Sequence, residues 1–409
     1  MAILLHNGRL VLPQGLLEGG ALFCEAGRIV AVGPRDEIWR DERVKAARPL
    51  EEIDVGGKLI CPGFIDLHIH GGAGADVMTA DPKALAVLAQ HCASSGTTGF
   101  LPTTLTAAPE ELERVLDKVA LYAAPPSTAG ESPKGGVPLT TMAPGGAALL
   151  GVHLEGPFLN PAFKGAQNGR WLRLPDVAEM QRYLDRYPGL VKLVTLAPEL
   201  PGAGTLISYL VGRGITVSVG HSGATWAQVA EAVGLGLRHV THTFNGMSGF
   251  HHREPGVAAA ALALDELTAE IIADGIHVDP AIVAFLVRVK GPEAVVLITD
   301  SIAATGLPDG QYSLGGLEVY VRGKEARLAA GNLAGSTLTM DRALKNILQW
   351  TPLPLWVAIK MASANPARVL GLEKRKGTLE PGKDADVVVL DDDFGVQLTL
   401  VQGQVVYRR

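Results

Sequence analysis

Cysteine, aromatic residues and long apolar runs are all scarce in this chain. Its 409 residues include three cysteines, Cys24, Cys61 and Cys92, an odd set without the spacing of a zinc clip or a disulfide framework. We therefore expect three small buried hydrophobic residues in a protein of the reducing cytoplasm. The first residues lack the basic segment and apolar run of a secretory signal, and no apolar stretch reaches membrane-spanning length.

The chain also lacks an excess of basic residues. Its formal net charge is −6, and acidic and basic residues are mixed along its length. This distribution argues against nucleic acid or a membrane surface as a partner. A small anionic substrate would therefore have to be held by a local basic pocket. Hydrophobic residues make up 47% of the chain, enough for a large core, and the length predicts one large domain and one small one.

Both ends of the chain have the pattern of β-structure. Residues 1–61 and 386–401 contain short apolar segments punctuated by turn residues. One small β-sandwich built from both termini would bury these strands better than two separate sheets. We therefore predict that residues 1–61 and 377–409 form the small domain and that residues 62–376 form the large one.

The middle of the chain alternates apolar strand candidates with amphipathic helical stretches. Residues 122–147, rich in Ala, Pro, Gly and Ser, predict a loop insertion. Eight strand–helix repeats predict an α/β fold, a (β/α)₈ TIM-type barrel. The strand candidates end near His70, Thr104, Glu155, Pro198, His221, Thr243, His277 and Asp300.

His68 and His70 stand at the end of the first of these strands. Side chains alternate along a strand, so residues two apart point to the same side. The pair is followed at once by glycines, which indicates that the chain leaves the sheet there. Two neutral imidazoles at a strand end are half of a transition-metal site, although two histidines hydrogen-bonded within a core would show the same pattern.

Polar residues of metal-ligand type fall at the ends of most of the predicted strands. All strand C-termini of a (β/α)₈ barrel open on one face, where active sites form, so residues far apart in sequence converge there. A purely structural core would not be expected to place such residues at one end of so many strands. The set consists of His68, His70, Glu155, His221, His242, His277 and Asp300.

The motifs themselves resemble those of the amidohydrolase superfamily. The resemblance begins at Pro62–Gly71 and ends at Gly377–Asp386, a segment that resembles the return into the small β domain of that superfamily. More narrowly, the chain is similar to the N-acetylglucosamine-6-phosphate deacetylases. The narrower resemblance rests on the ordered motifs His153-Leu-Glu-Gly-Pro-Phe, Gly220-His-Ser, Thr241-His-Thr-Phe-Asn-Gly-Met, Arg253-Glu-Pro-Gly, Ala273-Asp-Gly-Ile-His-Val, Thr299-Asp and Leu333-Ala-Gly-Ser.

This resemblance implies a divalent metal ion, zinc or iron, bound by Glu155, His221 and His242. One carboxylate and two imidazoles leave a coordination position for water, as in catalytic sites. His68 and His70 are expected to hold a second ion with help from Glu155 and Asp300. Some relatives lack this histidine pair and work with one ion, so the number of ions stays open.

The resemblance also implies that Asp300 is the catalytic general base and acid. The implied reaction removes the acetyl group of N-acetylglucosamine 6-phosphate, giving glucosamine 6-phosphate and acetate. The same chemistry on N-acetylgalactosamine 6-phosphate is an open alternative, because the sequence hardly separates two epimers. The implied substrate-binding residues are Ala166, Asn245, Gly246, Arg253, His277, Leu333, Ala334 and Gly335.

Arg253 is the predicted phosphate clamp, because a guanidinium matches phosphate geometry. Its loop is expected to reach across the interface of a homodimer.

Many relatives carry His where Gln167 stands; Gln can hydrogen-bond a sugar hydroxyl or a phosphate oxygen but cannot carry charge. A deaminase or cyclic-amide hydrolase with a carboxylated lysine at the fourth strand is disfavoured, since Leu196–Glu199 contains no Lys. A catalytically dead scaffold would be expected to have lost its ligands.

Overall fold

The computed structural model describes residues 2–79, 81–123, 141–142 and 145–409. Most of the loop insertion predicted for residues 122–147 lies outside these ranges. The strands are β1 (Ala2–Leu12), β2 (Gly15–Glu25), β3 (Arg28–Pro34), β4 (Leu50–Asp54), β5 (Leu59–Pro62), β6 (Phe64–Ile69), β7 (Gly71–Gly72), β8 (Ala75–Asp76), β9 (Thr97–Pro102), β10 (Thr141–Met142), β11 (Ala148–Leu149), β12 (Val152–Glu155), β13 (Val191–Leu196), β14 (Thr216–Val219), β15 (His239–Val240), β16 (Thr268–Ile272), β17 (Val295–Ile298), β18 (Gly310–Leu314), β19 (Leu317–Arg322), β20 (Glu325–Leu328), β21 (Val387–Leu390), β22 (Val396–Val401) and β23 (Gln404–Arg408). The helices are α1 (Arg35–Arg40), α2 (Glu42–Ala46), α3 (Pro82–Ser94), α4 (Pro109–Ala123), α5 (Val177–Arg186), α6 (Ala203–Gly212), α7 (Trp226–Gly234), α8 (Val257–Ala263), α9 (Pro280–Lys290), α10 (Met340–Trp350), α11 (Leu355–Ala362) and α12 (Ala364–Val369).

Eight parallel strands, β6, β9 and β12 to β17, form the barrel. Each strand from β12 to β17 pairs in parallel with the next, and β6 pairs in parallel with β9. A bridge between Thr103 and His153 joins β9 to β12, and one between Ile69 and Ser301 joins β6 to β17, so the ring closes. The strands are buried on both faces, which explains their continuous apolar runs.

The strands end at or a few residues before the predicted positions. The largest difference is at β16, which ends at Ile272, so His277 lies in the following loop. There the carboxylate of Asp274 accepts hydrogen bonds from the backbone N–H groups of Ile276 and His277, which turn the chain out of the barrel. The predicted fold class, an α/β barrel with a small β domain, is confirmed.

Polar side chains begin several of the helices that surround the barrel. Asp81 and Asp279 each accept a hydrogen bond from a backbone N–H in the first turn of α3 and α9. Thr225 and Gln228 form a reciprocal capping box at the start of α7. These bonds fix where each helix starts and therefore the length of the loop that precedes it. None of the helices within the described ranges is long and apolar enough to cross a membrane.

The two ends of the chain meet in one eight-stranded sheet. Its strand order is β23-β22-β21-β5-β1-β2-β3, and β4 pairs with β1. The junction between the two ends is antiparallel, with Val387 opposite Pro62. Ile3 and Leu5 from the first strand share a buried cluster with Val387 and Leu400 from the end of the chain. β5 of this sheet ends at Pro62, and one residue separates it from β6, so the shared core adjoins the first barrel strand.

A three-stranded antiparallel sheet, β18 to β20, follows the last barrel strand and was not predicted. Leu314, Val319 and Val321 on its inner face pack in one cluster with Leu105 and Ala334. Apolar and polar residues alternate through these strands, which is the local signal for a half-buried sheet. The sheet forms one side of the opening at the C-terminal end of the barrel.

Candidate metal centre

Three of the predicted metal-site residues follow barrel strands in a backbone conformation that side chains rarely adopt. His221, His242 and Asp300 have φ values of 48°, 29° and 50°. Non-glycine residues with positive φ cost of order 1–3 kcal/mol each and persist where the surroundings impose them. The turn at each position directs a side chain inward from the end of β14, β15 or β17. Strain at three converging residues indicates that their placement serves a function.

Glu155, His221 and His242 form the first group of candidate ligands. Oε1 of Glu155 lies 2.9 Å from Nε2 of His221 and 3.0 Å from Nε2 of His242, and the two Nε2 atoms are 3.1 Å apart. Nδ1 of His221 donates to the carbonyl oxygen of Phe163 at 2.8 Å, and Nδ1 of His242 donates to that of Asn245 at 3.1 Å. With the proton of each neutral ring on Nδ1, both Nε2 lone pairs face the carboxylate.

This arrangement fits a cation. Two Nε2 lone pairs and a carboxylate oxygen within about 3 Å of one another repel unless a positive charge lies among them. Backbone acceptors on the opposite ring nitrogens are the usual means of fixing the tautomer of a metal-binding histidine. The donor set of one carboxylate and two imidazoles suits zinc or iron.

His68, His70 and Asp300 form a second group beside the first. The Nε2 atoms of His68 and His70 lie 3.3 Å apart, and Oδ1 of Asp300 lies 3.6 Å and 3.2 Å from them. Oε2 of Glu155 is 3.5 Å from Nε2 of His68 and 3.3 Å from that of His70. Glu155 therefore faces one histidine pair with each oxygen and stands between the two groups.

The imidazoles and carboxylates of the two groups shift one another's pKa values. Burial alone would raise the pKa of Glu155, but the imidazoles of His68 and His221 hold it well below its usual value. Burial would lower the pKa of His70, yet Asp300 and Glu155 raise it to about 9. The buried carboxylates thus favour a positive charge in this space, and a bound divalent ion would supply one.

A cavity opens over the metal-ligand groups, and most of the predicted substrate residues line it. Asp300 stands at its wall together with Glu155, His221 and His242. Ala334 is buried behind the wall. Arg253 is exposed, donates to Nε2 of His252 and is not among the described residues that line the cavity. The predicted substrate residues at the wall are Ala166, Asn245, Gly246, His277, Leu333 and Gly335.

Two glycines in the wall are required by the space around them. A Cβ on Gly246 would lie 2.9 Å from Nδ1 of His221, and the residue has φ 57°. A Cβ on Gly335 would lie 2.9 Å from the backbone oxygen of Asp300, at φ 61°. Larger residues at these positions would therefore displace a candidate ligand or the candidate base.

His277 is held by a carboxylate of its own loop. Its Nδ1 lies 2.7 Å from Oδ2 of Asp274, which fixes the proton on Nδ1 and leaves Nε2 for the cavity. Burial would lower the pKa of His277, but Asp274 raises it above its ordinary value. The ring can therefore present either a lone pair or a charged donor to a bound molecule.

Gln167 contacts Glu155, the carboxylate of the first group of candidate ligands. Its Oε1 accepts a hydrogen bond from the backbone N–H of Thr106 at 2.7 Å, which fixes the orientation of the amide. Its Nε2 then donates to Oε2 of Glu155 at 2.7 Å. The sequence suggested a contact with a sugar hydroxyl or phosphate for this residue, whereas the structure shows it supporting the carboxylate.

Sequence reasoning missed the residues behind the ligands. Glu270 in β16 is fully buried and lies 3.2 Å from Nδ1 of His68. Nδ1 of His70 donates to the carbonyl oxygen of Thr103 at 3.1 Å. A glutamate within the apolar strand Thr268–Ile272 was the available signal for the first of these contacts.

Comparison with known proteins gives likenesses over nearly the whole chain. The amidohydrolase family matches residues 59–406. The N-acetylgalactosamine-6-phosphate deacetylase of Escherichia coli O157:H7 is 38% identical over 404 residues, 99% of each chain. The N-acetylglucosamine-6-phosphate deacetylase of Bacillus subtilis (strain 168) is 37% identical over 406 residues, 99% of this chain and 97% of that protein. A mutant N-acetyl-D-glucosamine-6-phosphate deacetylase from Mycobacterium smegmatis, solved in complex with N-acetyl-D-glucosamine-6-phosphate, is similar with a TM-score of 0.85 and 34% identity over 99% of both chains.

Proposed function

Because the chain belongs to the amidohydrolase family, we propose that it is a metal-dependent deacetylase of N-acetylglucosamine 6-phosphate. The products are glucosamine 6-phosphate and acetate. The observation that supports this most directly is the convergence of Glu155, His221 and His242 at the cavity whose wall also contains Asp300. This combination provides a metal site and a proton carrier at one place.

Glu155, His221 and His242 would hold the catalytic ion, and His68 and His70 would hold a second one with Glu155 and Asp300. A bound divalent ion supplies a Lewis acid, which polarises the acetamide carbonyl and acidifies water. Zinc and iron both suit this donor set. Backbone carbonyls accept from the opposite nitrogen of His70, His221 and His242, which would fix the direction of these rings before an ion binds.

Asp300 would move the proton. Its carboxylate accepts a proton from the attacking water as the C–O bond forms, then donates it to the nitrogen as the C–N bond of the amide breaks. Its backbone N–H donates to the carbonyl of His68, and its backbone oxygen accepts from the N–H of Ser336, so the main chain that carries the carboxylate is held on both sides. The amine therefore leaves as a neutral group, and the other product is acetic acid, which releases the second water proton to solvent and becomes acetate.

The cavity wall would orient the sugar. Nε2 of His277 faces the cavity because Asp274 holds Nδ1, and Asn245 and the backbone of Gly246 lie beside the ligand His242. Leu333 and Gly335 would provide the apolar surface against which a sugar ring packs. Holding the acetamide against the site in this way converts binding energy into orientation.

Recognition of the phosphate would involve a second subunit. No Lys or Arg occurs among the described residues that line the cavity, and the predicted clamp, Arg253, lies exposed on its own loop. We therefore propose a homodimer in which Arg253 reaches the cavity of the neighbour.

A cytoplasmic location is supported by the three free, buried cysteines. We also propose that residues 62–376 form the large domain and that residues 1–61 and 377–409 form the small one.

N-Acetylgalactosamine 6-phosphate is the second candidate substrate. The Escherichia coli relative that carries the galactosamine name is 38% identical, against 37% for the Bacillus subtilis glucosamine relative. The two sugars differ in one hydroxyl configuration, so both would place the acetamide and the phosphate alike. A carboxylated-lysine deaminase is less well supported, because β13 ends at Leu196 without a lysine at its C-terminal end.

Acetate release from a small panel of sugars tests the proposal. The panel contains N-acetylglucosamine and N-acetylgalactosamine, each with and without the 6-phosphate. We expect the greatest kcat/KM for one of the two phosphorylated sugars, and their ratio assigns the epimer. Release of acetate from none of the four, by protein loaded with zinc or with iron, would exclude this function.

A further inference from the structure

Glu270 is a buried carboxylate that the proposed reaction leaves without a role. It lies in β16 with no solvent-exposed surface, behind the metal-ligand groups. Its Oε2 is 3.2 Å from Nδ1 of His68 and 3.2 Å from the backbone N of His242, and its Oε1 is 3.0 Å from Nε2 of His239. In each of these contacts the carboxylate can accept a hydrogen bond from the nitrogen.

Such a group is costly in the interior of a barrel. A buried carboxylate requires hydrogen bonds and a compensating positive charge. Within the described part of the chain, the ion-pair partners of Glu270 are His68 and His239, with no lysine or arginine among them. Its neighbours in β16, Ala269 and Ile271, are apolar and buried, and Glu270 is the one charged residue of the strand. An ion beyond His68 would provide the compensating charge.

We propose that Glu270 is the positioning residue of the second ion. Its carboxylate keeps the His68 proton on Nδ1, so the Nε2 lone pair points at the group formed by His70 and Asp300. The same Oε2 accepts from the backbone N–H of His242, a ligand of the first ion. The Glu270 carboxylate therefore contacts the His68 side chain in one metal group and the His242 main chain in the other. This inference rests on the metal site of the proposed function and concerns how many ions that site holds.

The substitution Glu270→Gln separates charge from shape. Glutamine keeps the size and one acceptor oxygen, which can still receive the N–H groups of His68 and His242. The amide NH₂ then faces Nε2 of His239, and that ring can change tautomer because its Nδ1 contacts the hydroxyl of Thr268, which can donate or accept. The fold is therefore expected to survive, while the negative charge behind His68 is lost.

Cobalt(II) alone serves as the probe, since its visible absorption reports coordination by protein ligands. Metal-free parent protein is expected to take up two Co²⁺ per chain in a calorimetric and spectroscopic titration. In Glu270→Gln, the weaker of the two is expected to bind about 10–100-fold less tightly, the usual cost of losing a partner of a metal-binding histidine. The tighter ion, held by Glu155, His221 and His242, is expected to stay.

Glu179→Gln is the matched control. Glu179 of α5 is also a buried carboxylate, but it accepts hydrogen bonds from Tyr183 of the same helix and from Arg173, outside the metal groups. We expect this variant to lose thermal stability and to keep the Co²⁺ titration of the parent. A double-mutant cycle with His68→Asn adds a second check, because removing the Glu270 charge should have no further effect once His68 is gone.

Three results would overturn the role of Glu270. They are one Co²⁺ per chain in the parent, two ions of parental affinity in Glu270→Gln, and full additivity in the cycle with His68→Asn. The titrations contain no sugar, so failure of the deacetylase proposal would show in acetate release and would leave this result readable on its own.

Discussion

The Nε2 atoms of His221 and His242 lie 3.1 Å apart, and each ring donates from Nδ1 to a backbone carbonyl. Neither ring in its neutral form has a proton to place between the two nitrogens. Together with Oε1 of Glu155 they define a point where a cation replaces the missing proton. Two strand ends and two turns with positive φ at His221 and His242 bring these residues together, as the proposed metal site requires.

Asp300→Asn should leave the fold intact and remove most of the turnover. An asparagine of the same shape can keep the backbone contacts with His68 and Ser336 but cannot accept the water proton. General acid–base groups contribute about 10²–10⁴-fold, so kcat for the phosphorylated sugar should fall by about that factor. A variant that turns over within about threefold of the parent would show that Asp300 does not carry the proton. Circular dichroism controls for folding.

Arg253→Ala should reduce the preference for the phosphorylated sugar. Charge-assisted hydrogen bonds contribute about 1.5–3 kcal/mol each, and about 1.4 kcal/mol is tenfold, so loss of two such bonds costs at least about a hundredfold in kcat/KM. The free sugar should be little affected. Measuring kcat/KM for both sugars and both proteins decides it, and an unchanged ratio would remove Arg253 as the clamp.

Mixing an Arg253→Ala chain, impaired on the phosphorylated sugar, with an inactive His242→Ala chain tests whether Arg253 acts across a dimer. In a mixed dimer of Arg253→Ala and His242→Ala chains, one site would have intact metal ligands in its own chain and an intact Arg253 from the neighbour. Co-expressed chains should therefore recover activity on the phosphorylated sugar that neither variant shows alone. The control is a dimer in which both chains carry Arg253→Ala. Absence of recovery in verified mixed dimers would place Arg253 in its own cavity or outside the site.

Gln167→Ala should weaken the metal site without unfolding the chain. The change removes the donor to Oε2 of Glu155 and leaves the backbone N–H of Thr106 without its acceptor. A hydrogen bond to a charged group contributes about 1.5–3 kcal/mol, so metal affinity should fall by roughly tenfold or more. Metal titration of the variant checks this. Gln167→Glu is the contrasting change, since a second carboxylate beside Glu155 would repel it.

The sequence predicted the relative positions of site residues best where strand period or barrel topology determines them. The two-residue spacing of His68 and His70 predicted rings on one side of β6, and the shared opening of barrel strands predicted that Glu155, His221 and Asp300 would lie at one cavity. Those relationships follow from the period of a strand and from the topology of the barrel.

What the sequence could not supply were contacts set by packing. The partners of Glu270 come from β6 and β15, and no spacing rule links residues 68, 239 and 270. The sheet formed by β18 to β20 depends on apolar contact with Leu105, which is more than 200 residues away. The pairing of β21 with β5 likewise depends on a core shared by both ends of the chain.

We expect the ion held by Glu155, His221 and His242 to be required for deacetylation. The direct measurement is acetate release from N-acetylglucosamine 6-phosphate by protein stripped with a chelator and then reloaded with zinc or iron, with metal content determined on the same samples. We expect stripped protein and His242→Ala to be inactive, and reloading to restore the parent alone. Full activity in protein shown to contain no metal would contradict the account.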